Sequence, residues 1–214
     1  MSNFLGWQLQ KASMLTGFLG LAPIVTLQPQ YNLLVREIEF ELTDVCENEN
    51  IGILPWSPLA GGWLTGKYRR DEVPTGNSRL GDDPERGMEA YARRNSRERT
   101  WQVLDALGKI AESRGVSMAQ IALAWTADRP AVTSVILGAR TVEQLDDNLA
   151  AAGLHLSDEE TQALDEASAP VVGDYPYGLP GAGSAPGTRA LSPGRPVGDL
   201  HSPGPQGAWA KIST

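Results

Sequence analysis

"ILPWSPLAGGWLTGKY" occupies residues 53–68. It opens as a short apolar run of the kind that forms a buried strand, and Ser57-Pro58 stops it with a turn signal. Two glycines and a lysine follow, with large aromatics at Trp56, Trp63 and Tyr68. A tryptophan ending a core strand, followed by a conformationally permissive loop and one cation, is the pattern from which the rest of the chain is read.

Outward from that stretch, the elements alternate. Residues 4–19 read as a helix that becomes unusually apolar towards its end, until Pro23 breaks it. "IVTLQPQ" (24–30) is a short β-branched strand. "LLVREIEFELTDVCENEN" (33–50) is expected to be helical, with Leu34, Val35, Phe40 and Val45 inward, and it leads back to the strand at 51–56. Strand, helix, strand at these lengths suits parallel strands joined by crossovers. A polar loop over 69–96 is long for a compact domain, and such loops are commonly functional or disordered. "TWQVLDALGKIAESRG" (100–115) carries Trp101, Leu104, Leu107 and Ile110 at helical spacing and ends on a glycine. Ser117 caps a further helix through Trp125, and "AVTSVILGA" (131–139) is the next strand. Thr141 and Gln144, then Ser157 and Glu160, form two capping boxes opening the helices to about Ala152 and Ser168. The grammar is α/β.

The division expected is a β/α region over 1–168 and a tail over 169–214. From Pro170 onward roughly two residues in five are Gly or Pro, a composition expected to be disordered. Trp209 in that tail is surrounded by no helical or strand pattern.

Composition excludes several functions. The 214 residues carry a net charge of −8 without a dense basic stripe, which argues against nucleic-acid partners. Cys46 is the single cysteine, so neither an internal disulfide nor a cysteine-based zinc site is available, and it reads as a packing residue. No apolar run reaches the length of a membrane span. "ASMLTGFLGLAPIV" loosely imitates a signal-peptide core but lacks a basic region before it; a soluble cytoplasmic protein is expected. Ser57 stands outside any G-x-S-x-G elbow, so a hydrolase nucleophile is discounted. His155 and His201 have no metal-ligand constellation near them.

Three β/α units, with strands ending near Gln28, Trp56 and Gly138, are too few for a closed (β/α)₈ barrel. A doubly wound sheet would call for the dinucleotide fingerprint G-x-G-x-x-G, which is absent. "MSNF", "LQPQYNLLVRE", "PWSPLAGGWLTGKY", "NSRL" and "VILGARTVEQLDDNL" occur in this order. Together they resemble the C-terminal half of an aldo-keto reductase, of the bacterial branch related to potassium-channel β-subunits, over residues 1 to about 178. The resemblance implies a partial (β/α)₈ TIM barrel, about strands six to eight with their helices, and an NADP(H) site for the reduction of aldehydes or ketones.

Carried over by position, the resemblance implies that Ser2, Asn3 and Gln28 hold the nicotinamide carboxamide while Trp56 stacks on its ring. Ser57, Pro58, Leu59, Ala60 and Gly61, with Lys67 and Arg79, follow the pyrophosphate, where glycine admits close backbone approach. Gly138, Arg140 and Gln144, with Asp147 and Asn148, take the adenosine end, Arg140 facing a 2′-phosphate near a helix N-terminus. Taken singly these residues are ordinary: Trp56 a core aromatic, Arg140 a solvated surface residue, Lys67 and Arg79 loop charges. Only their joint pattern points to a nucleotide.

The family's Asp, Tyr, Lys and His acid–base set belongs to its first four strands, and the resemblance begins at the end of the fifth. Tyr31 and Tyr68 have no Lys–His pair arranged around them. The expectation is a chain without catalytic residues of its own, inactive unless a separate N-terminal half-barrel complements it, with a small carbonyl substrate only then. A non-catalytic nucleotide-binding or interaction module, and a gene remnant, are the alternatives. The apolar "MLTGFLGLA" (14–22) is expected to add exposed hydrophobic surface.

Overall fold

The computed structural model describes residues 1–76, 78–173 and Tyr177. The expected tail therefore lies outside the described residues beyond Gly173, Tyr177 excepted, and so do His201 and Trp209.

The helices are α1 (Gly6–Phe18), α2 (Leu42–Glu49), α3 (Arg79–Asp82), α4 (Tyr91–Asn95), α5 (Glu98–Arg114), α6 (Met118–Ala127), α7 (Val142–Ala150) and α8 (Asp158–Ser168). Two-residue strands β1 (Thr26–Leu27) and β2 (Gly52–Ile53) pair in parallel, Thr26 beside Gly52 and Leu27 beside Ile53. Parallel bridges extend the row on both sides: Ser2 with Gln28 on one flank, Ile53 with Val132 on the other, and Gln30 with Trp56 beyond the ladder. Segments at 1–3, 26–30, 52–56 and 131–136 thus run side by side, with helical crossovers between them.

The strands are shorter than the sequence suggests because prolines sit in them. Pro29 and Pro55 have no N–H, so the ladder loses a donor at each. Both carbonyls still accept, Pro29 O from the Trp56 N–H at 2.9 Å and Pro55 O from the Ile136 N–H at 3.0 Å. The strand expected over 131–139 is reduced to its bond pair with Ile53, donated by Ile53 N to Ala131 O at 2.7 Å and by Thr133 N to Ile53 O at 2.9 Å, plus the Ile136 bond.

The helix expected over 33–50 starts late. Asn32, fully buried, accepts from the Leu34 N–H through Oδ1 at 2.9 Å and donates from Nδ2 to Ser57 O at 2.8 Å. This side chain offers the backbone a turn in place of a helix. A 3₁₀ turn at Glu37–Phe40 follows, and α2 occupies only Leu42–Glu49 near the end of the segment. Cys46 is buried on α2, and burial pushes its thiol up to about 11. The polar loop over 69–96 is a further correction. It contains α3, a 3₁₀ turn at Gly87–Glu89 and α4, and it buries Leu80, Glu89, Tyr91 and Arg94.

The main core lies between the loop after β2 and α5, α6 and α8. Trp63 is its centre, stacked on Tyr91 at 5.6 Å and edge-on to Trp101 at 5.9 Å, with Leu64, Leu107 and Ile121 around it. Leu9, Leu27, Leu42, Ile51 and Ile53 form a second cluster under α1 and α2. A buried ionic knot closes the C-terminal end of the helical layer. Asp165 on α8 faces Arg36 at 3.1 Å and Arg129 at 3.0 Å and accepts from Trp125 Nε1 at 3.0 Å. The two guanidinium groups lie over the Trp125 ring at 5.2 and 4.5 Å, within cation–π range. Ser117 with Gln120, and Ser157 with Glu160, complete reciprocal capping boxes on α6 and α8.

Candidate functional site

Adjacent parallel segments bring their C-terminal ends to one edge, and four of the candidate residues, Ser2, Asn3, Gln28 and Trp56, stand there. Gln28 N donates to Met1 O at 2.9 Å and Asn3 N to Gln28 O at 3.2 Å, so Ser2 and Asn3 are held beside Gln28 by backbone. Ser2 Oγ adds a bond to Gln28 O at 3.1 Å. Asn3 has φ +54°, a left-handed conformation that asparagine tolerates better than most residues. Its Oδ1 accepts from Trp56 Nε1 at 2.9 Å. The indole is thereby pinned at one end and stays partly exposed to solvent.

The chain then turns hard. Ser57, Ala60, Gly61 and Gly62 have φ of +55°, +48°, +65° and +98°. For the two non-glycine residues this is sparsely populated territory, kept only where surrounding bonds impose it. Asn32 supplies one, through its bond to Ser57 O; Ala60 N adds another to the same carbonyl at 2.9 Å. A Cβ on Gly62 would sit 2.5 Å from Lys67 Nζ, and one on Gly61 would lie 3.9 Å from Arg79 Cδ. At Gly62 the missing Cβ is what allows the Lys67 ammonium to lie against the backbone, whereas at Gly61 it is Glu89 whose Cβ and Cγ, at 3.2 and 3.3 Å, need the space.

A third cation arrives from the far end of the row. Lys67 has a lowered pKa, first from partial desolvation and then from the positive charge of Arg140. Arg140 itself reaches an exposed carboxylate, Asp82 on α3, only at 3.9 Å. Lys67 and Arg79 lie beside the Gly61–Gly62 turn, and Arg140, from a different segment, is near enough to Lys67 for its charge to be felt there. Like charges gathered in this way create a positive potential suited to an anion.

Arg140 is followed directly by the α7 N-terminus. Thr141 Oγ1 accepts from Gln144 N at 3.3 Å, whereas the Gln144 side chain reaches past Thr141 to the Arg140 N–H at 3.0 Å. The capping box expected here is therefore half formed, and its second arm orders the arginine backbone instead. Asn148 is buried and donates to Gly138 O at 3.5 Å. Asp147 turns towards α6, taking Ser117 Oγ at 2.9 Å and Gln120 Nε2 at 2.8 Å. Asn148 thus braces the 138–141 loop from behind, while Asp147 ties α7 to α6.

The sequence profile of the aldo/keto reductase family matches residues 1–169. This chain belongs to the aldo/keto reductase family. Among relatives it is 39% identical over 133 residues to a protein of Arabidopsis thaliana described as a "probable voltage-gated potassium channel subunit beta", covering 60% of this chain and 38% of that one. It is 27% identical over 169 residues to the versiconal hemiacetal acetate reductase of Aspergillus parasiticus, covering 79% and 47%. It is 38% identical over 153 residues to an L-glyceraldehyde 3-phosphate reductase of Escherichia coli, covering 67% and 41%. The chain spans less than half the length of each of these three relatives.

Within this aldo/keto reductase chain, the candidate residues fall into three groups. Ser2, Asn3, Gln28 and Trp56 share one edge through hydrogen bonds and parallel bridges. Ser57, Pro58, Leu59, Ala60 and Gly61 form the turn that Lys67 and Arg79 face. Gly138, Arg140 and Gln144 are exposed on the next loop, with Asp147 and Asn148 behind them. Two contributors were missed from sequence. Asn32, just before the helix expected over 33–50, was given no role, although asparagine is a turn residue with a local hydrogen-bonding side chain. Glu89 lay in the expected loop, where the spacing of Tyr91, Arg94 and Trp101 was the signal of an anchored segment.

Proposed function

We propose that this chain carries the NADP(H)-holding part of an aldo/keto reductase, and that carbonyl reduction requires a complementary N-terminal half-barrel. The single observation behind the reading is the double-glycine turn after Trp56, with Lys67 and Arg79 beside it and Arg140 within electrostatic reach of Lys67. The residues fit the cofactor: a partly exposed indole for the nicotinamide, a turn where two Cβ atoms are absent, and cations for the phosphates.

In this reading Trp56 stacks on the nicotinamide, with its indole fixed by Asn3. The Asn3 amide nitrogen, Gln28 and Ser2 hold the carboxamide. Ser57 to Gly61, Lys67 and Arg79 bind the pyrophosphate, and Arg140 takes the 2′-phosphate with Gly138 and Gln144 beside the adenosine. Asn148 acts there by bracing the loop, and Asp147 by tying α7 to α6. The cofactor supplies a hydride to a carbonyl carbon. A proton for the carbonyl oxygen must come from an acid near it, and the residues that supply it in the family have no counterparts at positions of this chain. The parallel row of 1–3, β1, β2 and 131–136 supports a partial (β/α)₈ barrel comprising its later strands.

A second reading is a non-catalytic nucleotide-binding or interaction module. The relative named for a voltage-gated potassium channel subunit favours it. NADPH consumption with a panel of small aldehydes separates the two. The chain alone is expected to give no turnover, and the chain mixed with a family N-terminal half-barrel is expected to gain a turnover that Trp56→Ala removes. Turnover by the chain alone would overturn the division of labour. A folded, NADPH-loaded mixture without turnover would favour the second reading.

A further inference from the structure

Beneath the double-glycine turn lies a buried carboxylate that none of the site roles uses. Glu89 is 7% exposed. Its Oε1 accepts from Gln30 Nε2 at 2.6 Å, and its Oε2 accepts from Arg94 Nε at 2.8 Å. Its carbonyl accepts from Trp63 Nε1 at 3.0 Å. Its Cβ and Cγ would lie 3.2 and 3.3 Å from a Cβ on Gly61. Arg94, buried as well, donates from its other arm to Leu34 O at 3.1 Å.

We infer that Glu89 is a positioning residue for the anion-facing turn. Its side chain ties the end of the β1 segment through Gln30 and the 31–34 turn through Arg94, and packs directly against the Gly61–Gly62 backbone, while its main-chain carbonyl holds Trp63 in the core. Gln30 is the residue bridged to Trp56, so the same carboxylate links the platform of the indole to the floor of the turn. It touches no ligand, because both oxygens are spent on buried donors. An apolar residue could fill the volume but would leave the Gln30 amide and a buried guanidinium unpaired, and an unpaired buried charge is strongly unfavourable. The packing part of this inference stands on the coordinates; its consequence for nucleotide affinity rests on the function proposed above.

The test compares wild type, Glu89→Gln and Gln30→Met by amide hydrogen exchange, NADPH titration and thermal unfolding. Glu89→Gln keeps the shape and removes the charge opposite Arg94. Exchange across residues 60–66 is expected to speed up roughly tenfold, the scale of a lost bond to a charged group, while α6 and α8 stay protected. NADPH affinity is expected to fall by a similar factor. Lys67→Ala should weaken NADPH without speeding that exchange. Should Glu89→Gln fail to fold, Gln30→Met, which leaves the Glu89–Arg94 pair intact, is expected to speed exchange at 60–66 by about threefold, the lower end for a neutral bond. Unchanged exchange at 60–66 in either folded variant overturns the positioning role. Absence of NADPH binding by wild type counts against the proposed function alone, since the exchange arm needs no ligand.

Discussion

Lys67 is the residue on which the site's electrostatics turn. Its ammonium lies against Gly62 and 5.2 Å from the Tyr68 ring, and desolvation with Arg140 lowers its pKa. An anion beside it favours the charged form, so binding must raise that pKa again. Affinity for NADPH is therefore full below the lowered pKa of the free chain and declines as pH rises through it. Removing the like charge in Arg140→Ala should shift the decline to higher pH, besides weakening binding overall; a profile that moves the other way would contradict the coupling. Lys67→Met should weaken NADPH by roughly tenfold or more, the scale of a charge-assisted bond to phosphate. Gly62→Ala meets both a φ of +98° and the lysine head. It is expected to destabilise by about 1–2 kcal/mol and to weaken NADPH beyond what its unfolding midpoint explains. Much of this residue-scale picture was legible, because Trp, Gly-Gly and Lys stand in one contiguous stretch. The support from Asn32 and Glu89 was not: a turn-forming asparagine and a buried glutamate have no local period, and their partners are distant in sequence.

At the scale of elements, amphipathic helices were the readable part. Gly115 with φ +66° ends α5 where a glycine was expected to, and serine caps open α6 and α8. Strand extents were harder, since a hydrophobic run says nothing about which donors remain to be paired. Pro29 and Pro55 cut the ladders, and the third expected strand keeps a bridge where a full ladder was anticipated. The segment 33–50 failed as one helix because Asn32 makes a turn and Arg36 is drawn into the core. Arg36 donates to Glu39 at 2.7 Å, three residues on, and to Ser168 Oγ at 2.7 Å, and the second contact, between residues far apart in sequence, is one that no helical period encodes. That knot carries its own prediction. Asp165→Ala leaves Arg36 and Arg129, both largely buried, without their shared carboxylate. A loss of about 3–5 kcal/mol is expected, read as a lowered urea midpoint, and a loss below 1 kcal/mol would show that Glu39 and the Trp125 face suffice.

For the molecule as a whole, the notable surface is α1 and the segment after it. Trp7, Met14 and Phe18 are 61%, 65% and 86% exposed, with Leu19, Leu21 and Val25 also open. Only Gly6 and Leu9 of that helix are buried. Contiguous apolar exposure on this scale marks an interaction surface or an aggregation liability. A Met14→Ser, Phe18→Ser double variant is expected to sediment as a smaller species than wild type at high concentration, with its NADPH affinity unchanged. Equal sedimentation would show that this face is inert. Composition and length anticipated neither the exposed helix's extent nor its orientation; the apolar sequence 14–22 did signal it.

The account's central claim is that the turn after Trp56, with its three cations, holds a phosphorylated nicotinamide dinucleotide. NADPH titration of the purified chain, followed by quenching of tryptophan fluorescence, tests it most directly. Saturable quenching that weakens in Lys67→Met and disappears in Trp56→Ala is the predicted result. A folded wild-type chain that shows no saturable response would contradict it.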